Sequence, residues 1–229
     1  MQRLFDIILS STALVVLLPL FVIVAILLRF TGEGQVIYRQ ERVGKGGKLF
    51  MLYKFVTMLK NSEFMGTGTV TLKDDPRILP VGRILRKTKI NELPQLVNVL
   101  KGDMSIVGPR PQTRRCFDAF PENLRDVIVK VKPGLSGIGS IVFRNEENVL
   151  SDPATGLEFY DNVIAPYKGQ LEEWYVNNQG LYTYFAVILA TLLVILKPKS
   201  NVVWRLFPNL PIPPESLRVY LNWHPKTSV

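Results

Sequence analysis

The sequence predicts an α+β, mostly helical domain that is attached to a membrane through an N-terminal apolar helix. The first observation behind this prediction is an uncharged run at residues 7–28, which is long enough to cross a bilayer. The second is that residues 31–180 combine a hairpin pattern with helical apolar periodicity and contain no low-complexity linker. We therefore expect a membrane helix at 1–30, one cytoplasmic domain at 31–180, an apolar helix in the membrane interface at 181–197, and a Pro- and Trp-containing extension at 198–229.

The composition narrows the class of ligand. Lysine and arginine number 28 against 19 aspartates and glutamates, which gives a net charge of +9 in a chain of 229 residues. The mean hydropathy is also positive, at +0.16. A basic and apolar chain favours membrane lipids and phosphate-bearing ligands, and the scattered basic residues argue against a nucleic-acid partner. A single cysteine excludes an internal disulfide, and the presence of only one cysteine and one histidine argues against a zinc site and a histidine-based serine hydrolase.

Pro19 lies near the middle of the first apolar run. A proline inside a helix removes one backbone hydrogen bond and crowds the preceding turn, so we expect a kink or break at this position. Two topologies follow. A kinked helix could span the bilayer, with the basic residues after Arg29 on the cytoplasmic side. Alternatively, the helix could enter, turn at Pro19 and return, which would leave both Arg3 and Arg29 on the cytoplasmic face.

The second apolar run covers Leu181 to Leu196 and is slightly short for a span. Aromatic residues precede it and lysines follow it, a pattern typical of a helix in the membrane interface. A buried core helix is the alternative interpretation.

Within the soluble part, β-branched and aromatic residues on both sides of the glycine-rich segment 44–47 predict a β-hairpin. Leu93, Leu96, Val97 and Leu100 recur with helical spacing before Gly102. This pattern predicts an amphipathic helix that begins near residues 91–92 and ends at the glycine. Such a start would place Glu92 at the positive end of the helix dipole, where phosphate or metal-phosphate groups bind; an ordinary N-terminal cap is the alternative.

Residues 108–111 (GPRP) hold Arg110 between two prolines. Because both flanking φ angles are fixed, the guanidinium could act as a rigid phosphate clamp, or the segment could be only a stiff surface loop. The glycines of residues 132–140 match neither the dinucleotide fingerprint nor a Walker loop.

Six motifs in order resemble the bacterial monotopic phosphoglycosyl transferases, also called bacterial sugar transferases. They are RQERVG at 39–44, YKF at 53–55, DPR at 75–77, NELPQL at 91–96, KGDMS at 101–105 and GPRP at 108–111. The resemblance covers residues 2 to 200 and implies transfer of a sugar 1-phosphate from a UDP-sugar to polyprenyl phosphate, with release of UMP. It places this reaction at the cytoplasmic face of the bacterial inner membrane and makes 31–180 a catalytic domain. It also implies a re-entrant N-terminal helix broken at Pro19.

The resemblance implies a two-step covalent mechanism that uses an Asp-Glu pair and Mg²⁺. By motif, Asn91 and Glu92 occupy the catalytic and metal-binding positions, and Lys54, Arg110 and Arg144 are expected to contact substrate phosphates. Further expected partners are a second copy of the chain, in a homodimer, and the downstream glycosyltransferases that extend the lipid-linked glycan.

The chain departs from the family pattern at four places. Asn91 stands where the nucleophilic aspartate belongs, and Val56 replaces an arginine. Leu18 replaces the serine before the helix-breaking proline, and Gln2 replaces a lysine. Three explanations for Asn91 are open: a change that traps substrate, a natural subgroup that uses Glu92 or another acid, or a catalytically silent protein.

Overall fold

The computed structural model describes residues 1–31, 33–146, 149–150, 156–197 and 200–223. Helices are α1 Gln2–Phe30, α2 Pro80–Lys87, α3 Gln95–Lys101, α4 Arg114–Asp118, α5 Glu122–Ile128, α6 Ile138–Val142, α7 Gly156–Phe159, α8 Ala165–Asn177, α9 Leu181–Leu196, α10 Val202–Leu206 and α11 Glu215–Arg218. Strands are β1 Ile37–Val43, β2 Leu49–Phe55, β3 Ser105–Val107 and β4 Gly134–Ser136. The predicted mostly helical α+β class is confirmed.

The described strands form two small sheets. Antiparallel β1 and β2 pair from Ile37 opposite Phe55 to Val43 opposite Leu49, which is the hairpin that the sequence predicts. A short 3-10 turn at Lys45–Gly47 joins them. The second sheet pairs β3 with β4 in parallel. It brings the segment after β3, which contains Arg110, beside the glycine-rich segment after β4.

The helix α1 runs without interruption through Pro19. The chain is therefore helical on both sides of Pro19, and the kink that the sequence predicts there stays a prediction. Proline does not end the helix here because only one backbone hydrogen bond is lost and a long apolar sequence continues on both sides.

The first turns of α1 are anchored to the domain by polar contacts. The Arg3 guanidinium donates to the carbonyl oxygen of Leu100 at 2.7 Å. The buried Asp6 carboxylate accepts from the Ser105 hydroxyl at 3.0 Å, from the Ile106 N–H at 2.9 Å and from the Tyr184 hydroxyl at 2.9 Å. One carboxylate thus joins α1, β3 and α9.

The last turns of α1 also contact the domain. Val24 and Leu28 are buried against Phe55 and Leu85, and the Phe21 and Phe55 rings lie 5.4 Å apart. Between the two anchored ends, most apolar side chains of α1, such as Val15 and Leu18, are exposed. Both ends of α1 therefore lie against the same body of protein, with an apolar stretch between them.

The helix α9 is apolar on every side, but only one side faces protein. Tyr184, Val187 and Ala190 are buried in the main core, whereas Leu189 and Leu196 are exposed. A helix that presents an exposed apolar face is typical of contact with lipid.

The C-terminal extension packs on the same core through Val203, Phe207, Leu210 and Leu217. Of the predicted extension 198–229, residues 198–199 and 224–229, including His224, lie outside the described residues.

Candidate active site

A cavity of about 600 Å³ brings together the five residues that the sequence singles out for catalysis and phosphate binding. Lys54 comes from β2, Asn91 and Glu92 from a turn before α3, Arg110 from the segment after β3, and Arg144 from the segment after α6. Pro19 is not among the residues that line it. Val56 does line the cavity, so its replacement of an arginine removes a cation from this wall.

Glu92 is positioned differently from the sequence prediction. A 3-10 turn covers Ile90–Glu92, and α3 begins only at Gln95, with Pro94 as its cap. The prediction that the helix begins near residues 91–92 is therefore wrong by about one turn. Lys89, in the left-handed conformation at φ 61°, reverses the chain before this turn, so the carboxylate stands ahead of α3 and not on its first turn.

Two cations meet at the Glu92 carboxylate. Its Oε1 lies 2.9 Å from Arg110 Nη2 and 3.6 Å from Lys54 Nζ, and all three side chains are mostly buried. Burial alone raises the pKa of Glu92, but the charges of Arg110, Lys54 and Lys89 outweigh it and hold the pKa well below the usual value. Glu92 is consequently ionised at neutral pH.

Lys54 carries a proton that is easily lost. Burial lowers the pKa of its ammonium to about 7, although the Glu92 carboxylate opposes this shift. Arg110 and Arg42 lower the pKa further by like-charge repulsion. The cavity therefore holds more positive charge than Glu92 neutralises, and an anionic ligand would stabilise the protonated lysine.

The backbone that leads into Arg110 is fixed by two hydrogen bonds to the segment around β4. The N–H of Gly108 donates to the Ser136 carbonyl at 2.9 Å, and the N–H of Gly134 donates to the Pro109 carbonyl at 2.8 Å. A Cβ on Gly134 would lie 2.1 Å from the Gly108 nitrogen, so this close approach of two backbones requires glycine.

Glu172, on α8, contacts the same segment from behind. Its Oε1 accepts from the Arg110 N–H at 3.1 Å, and burial raises the pKa of this carboxyl to about 7. Sequence reasoning did not identify Glu172, because α8 carries no recognisable motif and the contact joins positions far apart in the chain.

Arg42 and Arg144 complete the basic wall. Burial lowers the pKa of Arg42 to about 10, and its guanidinium donates to the Pro111 carbonyl at 3.2 Å. Burial also lowers the pKa of Arg144, while Glu92 opposes that shift. Arg42 lies within the RQERVG motif, so the sequence marks it as a residue of interest. The motif by itself does not show that its side chain reaches the cavity.

The loop that forms another wall is organised by Arg77 of the DPR motif. Its buried guanidinium donates to the carbonyl oxygens of Ser62, Met65 and Gly68 at 2.7–2.8 Å and pairs with Asp75. Hydrogen bonds and charge from Arg77 lower the pKa of Asp75 against the effect of burial. This motif therefore supports the loop whose residues 62–63 and 68–71 line the cavity.

Asn91 is buried, and its Oδ1 has no hydrogen-bond partner among the described residues. The described part of the chain contains no group of three His, Cys, Asp or Glu side chains that could hold a metal alone. Mg²⁺ commonly takes one or two protein oxygens and completes its shell with substrate phosphates and water. An orphaned amide oxygen next to the Glu92 carboxylate fits that donor requirement.

Among the described residues, α1 is the one helix long and apolar enough to cross a membrane by length and composition, and 11% of its most apolar window is buried in protein. Taken alone, this is a weak membrane signal.

Comparison with known proteins gives consistent matches. The model of a family described as bacterial sugar transferase matches residues 1–198. Undecaprenyl-phosphate galactose phosphotransferase of Salmonella typhimurium is 35% identical over 211 residues, which cover 86% of this chain and 40% of that protein. Exopolysaccharide production protein ExoY of Sinorhizobium fredii is 34% identical over 175 residues, covering 70% of this chain and 77% of that protein. UDP-N-acetylgalactosamine-undecaprenyl-phosphate N-acetylgalactosaminephosphotransferase of Aeromonas hydrophila is 40% identical over 143 residues, covering 62% of this chain and 34% of that protein.

Proposed function

The chain belongs to the bacterial sugar transferase family, and on that premise we propose that it transfers a sugar 1-phosphate from a UDP-sugar to polyprenyl phosphate with release of UMP. The observation that carries this proposal is the Glu92 carboxylate held between Arg110 and Lys54 in a cavity whose walls include α9, a helix with an exposed apolar face. An ionised carboxylate beside two buried cations suits chemistry on a diphosphate, and an apolar wall suits a lipid acceptor.

The proposed reaction has two steps, with Glu92 in the nucleophilic role because Asn91 has no carboxylate. A Glu92 oxygen attacks the sugar-linked phosphorus of the UDP-sugar. A bond from this oxygen to phosphorus forms, the bond to the bridging oxygen breaks, and UMP leaves with the bonding electrons. An oxygen of polyprenyl phosphate then attacks the same phosphorus, and the Glu92 carboxylate is released as the leaving group.

Arg110, Lys54, Arg42 and Arg144 have two tasks in this scheme. They keep Glu92 ionised and they bind the phosphate oxygens on which charge accumulates as UMP leaves. The backbone of residues 108–110 is fixed by hydrogen bonds, and the Arg110 side chain already pairs with Glu92 at 2.9 Å, which lowers the conformational entropy lost when it binds phosphate.

Asn91 and Glu92 are the residues that would hold Mg²⁺, together with phosphate oxygens of the substrate. The ion would neutralise diphosphate charge.

The placement of α1 supports a re-entrant membrane helix. Arg3 and Asp6 at one end and Phe21 and Leu28 at the other contact the same domain, so a spanning helix would require that domain on both sides of the bilayer. We propose that the domain rests on the cytoplasmic leaflet of the bacterial inner membrane. There its basic residues meet anionic membrane lipids and its product is passed to downstream glycosyltransferases. A homodimer remains a prediction.

A second candidate function is a silent protein that binds a UDP-sugar or lipid phosphate without turnover. It is favoured by one observation, the amide of Asn91 at the position of the family's nucleophile. Asn91→Asp distinguishes the two candidates, because release of UMP by this variant alone would mark the chain as silenced or trapped.

The test of the proposal is UMP release by the purified chain in detergent, with Mg²⁺, undecaprenyl phosphate and a panel of UDP-sugars. We expect release with at least one UDP-sugar and its loss in Glu92→Gln. Asp118→Asn, which changes an exposed carboxylate of α4, is the matched control and should retain activity. Absence of release with every UDP-sugar, in both the chain as it stands and Asn91→Asp, would overturn the proposal.

A further inference from the structure

The cavity described above is lined by two sets of side chains with different chemistry. The polar set contains Lys54, Glu92 and Arg110. The apolar set comes from successive turns of α9 and contains Ile188, Leu192 and Ile195. Because both sets line one cavity, a ligand that contacts both must have an anionic part and an apolar part.

The apolar set of the lining reaches the exposed surface of α9. Leu192 and Ile195 line the cavity and yet are 55% and 41% exposed. They are continuous with the exposed face that includes Leu189 and Leu196, which the fold gives no protein partner among the described residues. A cavity mouth of this kind admits a ligand directly from lipid.

One polar contact joins the helix of the apolar set to the strand β4. Thr191 Oγ1 lies 2.6 Å from Ser136 Oγ on β4 and donates to the Val187 carbonyl at 2.7 Å. Ser136 is also the residue whose carbonyl holds the backbone of Gly108, two residues before Arg110. We call the apolar set of Ile188, Leu192 and Ile195 the α9 groove. The Thr191–Ser136 contact therefore links this groove to the segment that carries Arg110.

We propose that Ile188, Leu192 and Ile195 of α9 form the subsite for the first isoprene units of a polyprenyl phosphate whose phosphate lies at Arg110 and Lys54. This inference rests on the proposed function, since it takes the acceptor to be a lipid phosphate. The occupant is identified by charge and polarity together: the cations select an anionic head, and the membrane-open aliphatic wall selects a hydrocarbon tail. A UDP-sugar meets only the first requirement.

The dimensions of the groove limit what it recognises. Ile188 to Ile195 spans about two helical turns, roughly 10 Å along the axis. Only the part of the tail next to the phosphate fits in this length, and the rest of the chain lies in the bilayer. The subsite therefore recognises a polyprenyl phosphate by its first units and not by its total length.

The first arm of the test places the ligand directly. A polyprenyl phosphate with a diazirine in its second isoprene unit is bound to the unaltered chain in nanodiscs, irradiated and mapped by mass spectrometry. We expect labels at Leu192 and Ile195 that are competed by undecaprenyl phosphate. Labelling confined to α1, or to Leu193 and Leu196 on the outer face of α9, would overturn the subsite.

The second arm uses neighbouring pairs of variants. Leu192→Trp and Ile195→Trp fill the groove and should weaken binding of undecaprenyl phosphate about tenfold or more while leaving UMP binding unchanged. Leu193→Trp and Leu196→Trp add the same side chain to exposed positions that do not line the cavity and should leave both affinities unchanged.

The outcomes separate the subsite from the proposed function. Lipid binding that is lost in the groove variants, in a chain that never releases UMP, would support the subsite and contradict the transferase. Transfer to undecaprenyl phosphate that is equally fast in all four variants would support the transferase and contradict the subsite.

Discussion

The buried lysine of the site predicts a pH dependence of substrate binding. Burial lowers the pKa of Lys54 to about 7, and a phosphate ligand binds the protonated form. The protonated fraction of the free protein falls from about 0.9 near pH 6 to about 0.1 near pH 8. The Kd of a UDP-sugar should therefore be nearly constant below pH 7 and rise about tenfold between pH 6 and pH 8, which is about 1.4 kcal/mol of binding free energy.

The assay is isothermal titration calorimetry at several pH values across this window, with a UDP-sugar of the panel from which no UMP is released, so that binding is measured without turnover. A UDP-sugar is preferred to UMP because its diphosphate does not titrate there. Lys54→Arg keeps the charge but cannot lose it, so its Kd should not vary with pH. Lys54→Met should bind weakly at every pH. A tenfold change that persists in Lys54→Met would refute the reasoning and assign the titration to another group, such as Glu172.

Three further predictions concern the support of the site and the membrane helix. Because burial raises the pKa of Glu172 to about 7, the folded state binds more protons than the unfolded state between about pH 4.5 and 7, and stability falls as pH rises through this range. The free energy of unfolding should fall by on the order of 3 kcal/mol between pH 4.5 and pH 8, and Glu172→Gln should remove this fall. A variant that loses as much stability over this pH range as the unaltered chain would contradict the prediction. Arg77→Met leaves the buried Asp75 carboxylate unpaired and should lower the free energy of unfolding by about 3–5 kcal/mol, measured by denaturant titration. The control Arg114→Met removes an exposed ion pair and should lower it by about 1 kcal/mol or less. Pro19→Ala should straighten α1, detach its first turn and move residue 1 to the opposite face of the membrane; unchanged accessibility of an N-terminal tag in intact cells would argue against this.

Local sequence patterns predicted the parts of the fold that depend on local physics. The hairpin follows from β-branched and aromatic runs around a glycine-rich turn, and Gly102 ends α3 at φ 90° as expected for a left-handed cap. The start of α3 could not be predicted, because the left-handed Lys89 and the 3-10 turn at Ile90–Glu92 interrupt an otherwise helical pattern.

The cavity depends on contacts between distant parts of the chain, which a sequence pattern does not contain. The motifs named Glu92 and Arg110, but only the fold places them 2.9 Å apart. Glu172 and the anchoring role of Asp6 were not predicted, because each acts on residues more than sixty positions away. The sequence alone does not decide how α1 meets the membrane, because Pro19 is compatible with a spanning or a re-entrant helix. Only the contacts of both helix ends with distant residues distinguish the two topologies.

The most direct test of the central claim is a single-turnover experiment without the lipid acceptor. The purified chain is incubated with Mg²⁺ and the UDP-sugar that the panel identifies, and UMP release and the intact mass of the protein are recorded together. We predict a burst of UMP equal to the amount of protein and a mass increase of one sugar phosphate, mapped to the peptide that contains Glu92 and lost on addition of undecaprenyl phosphate. UMP release that requires the lipid and leaves the protein mass unchanged would contradict a covalent role for Glu92.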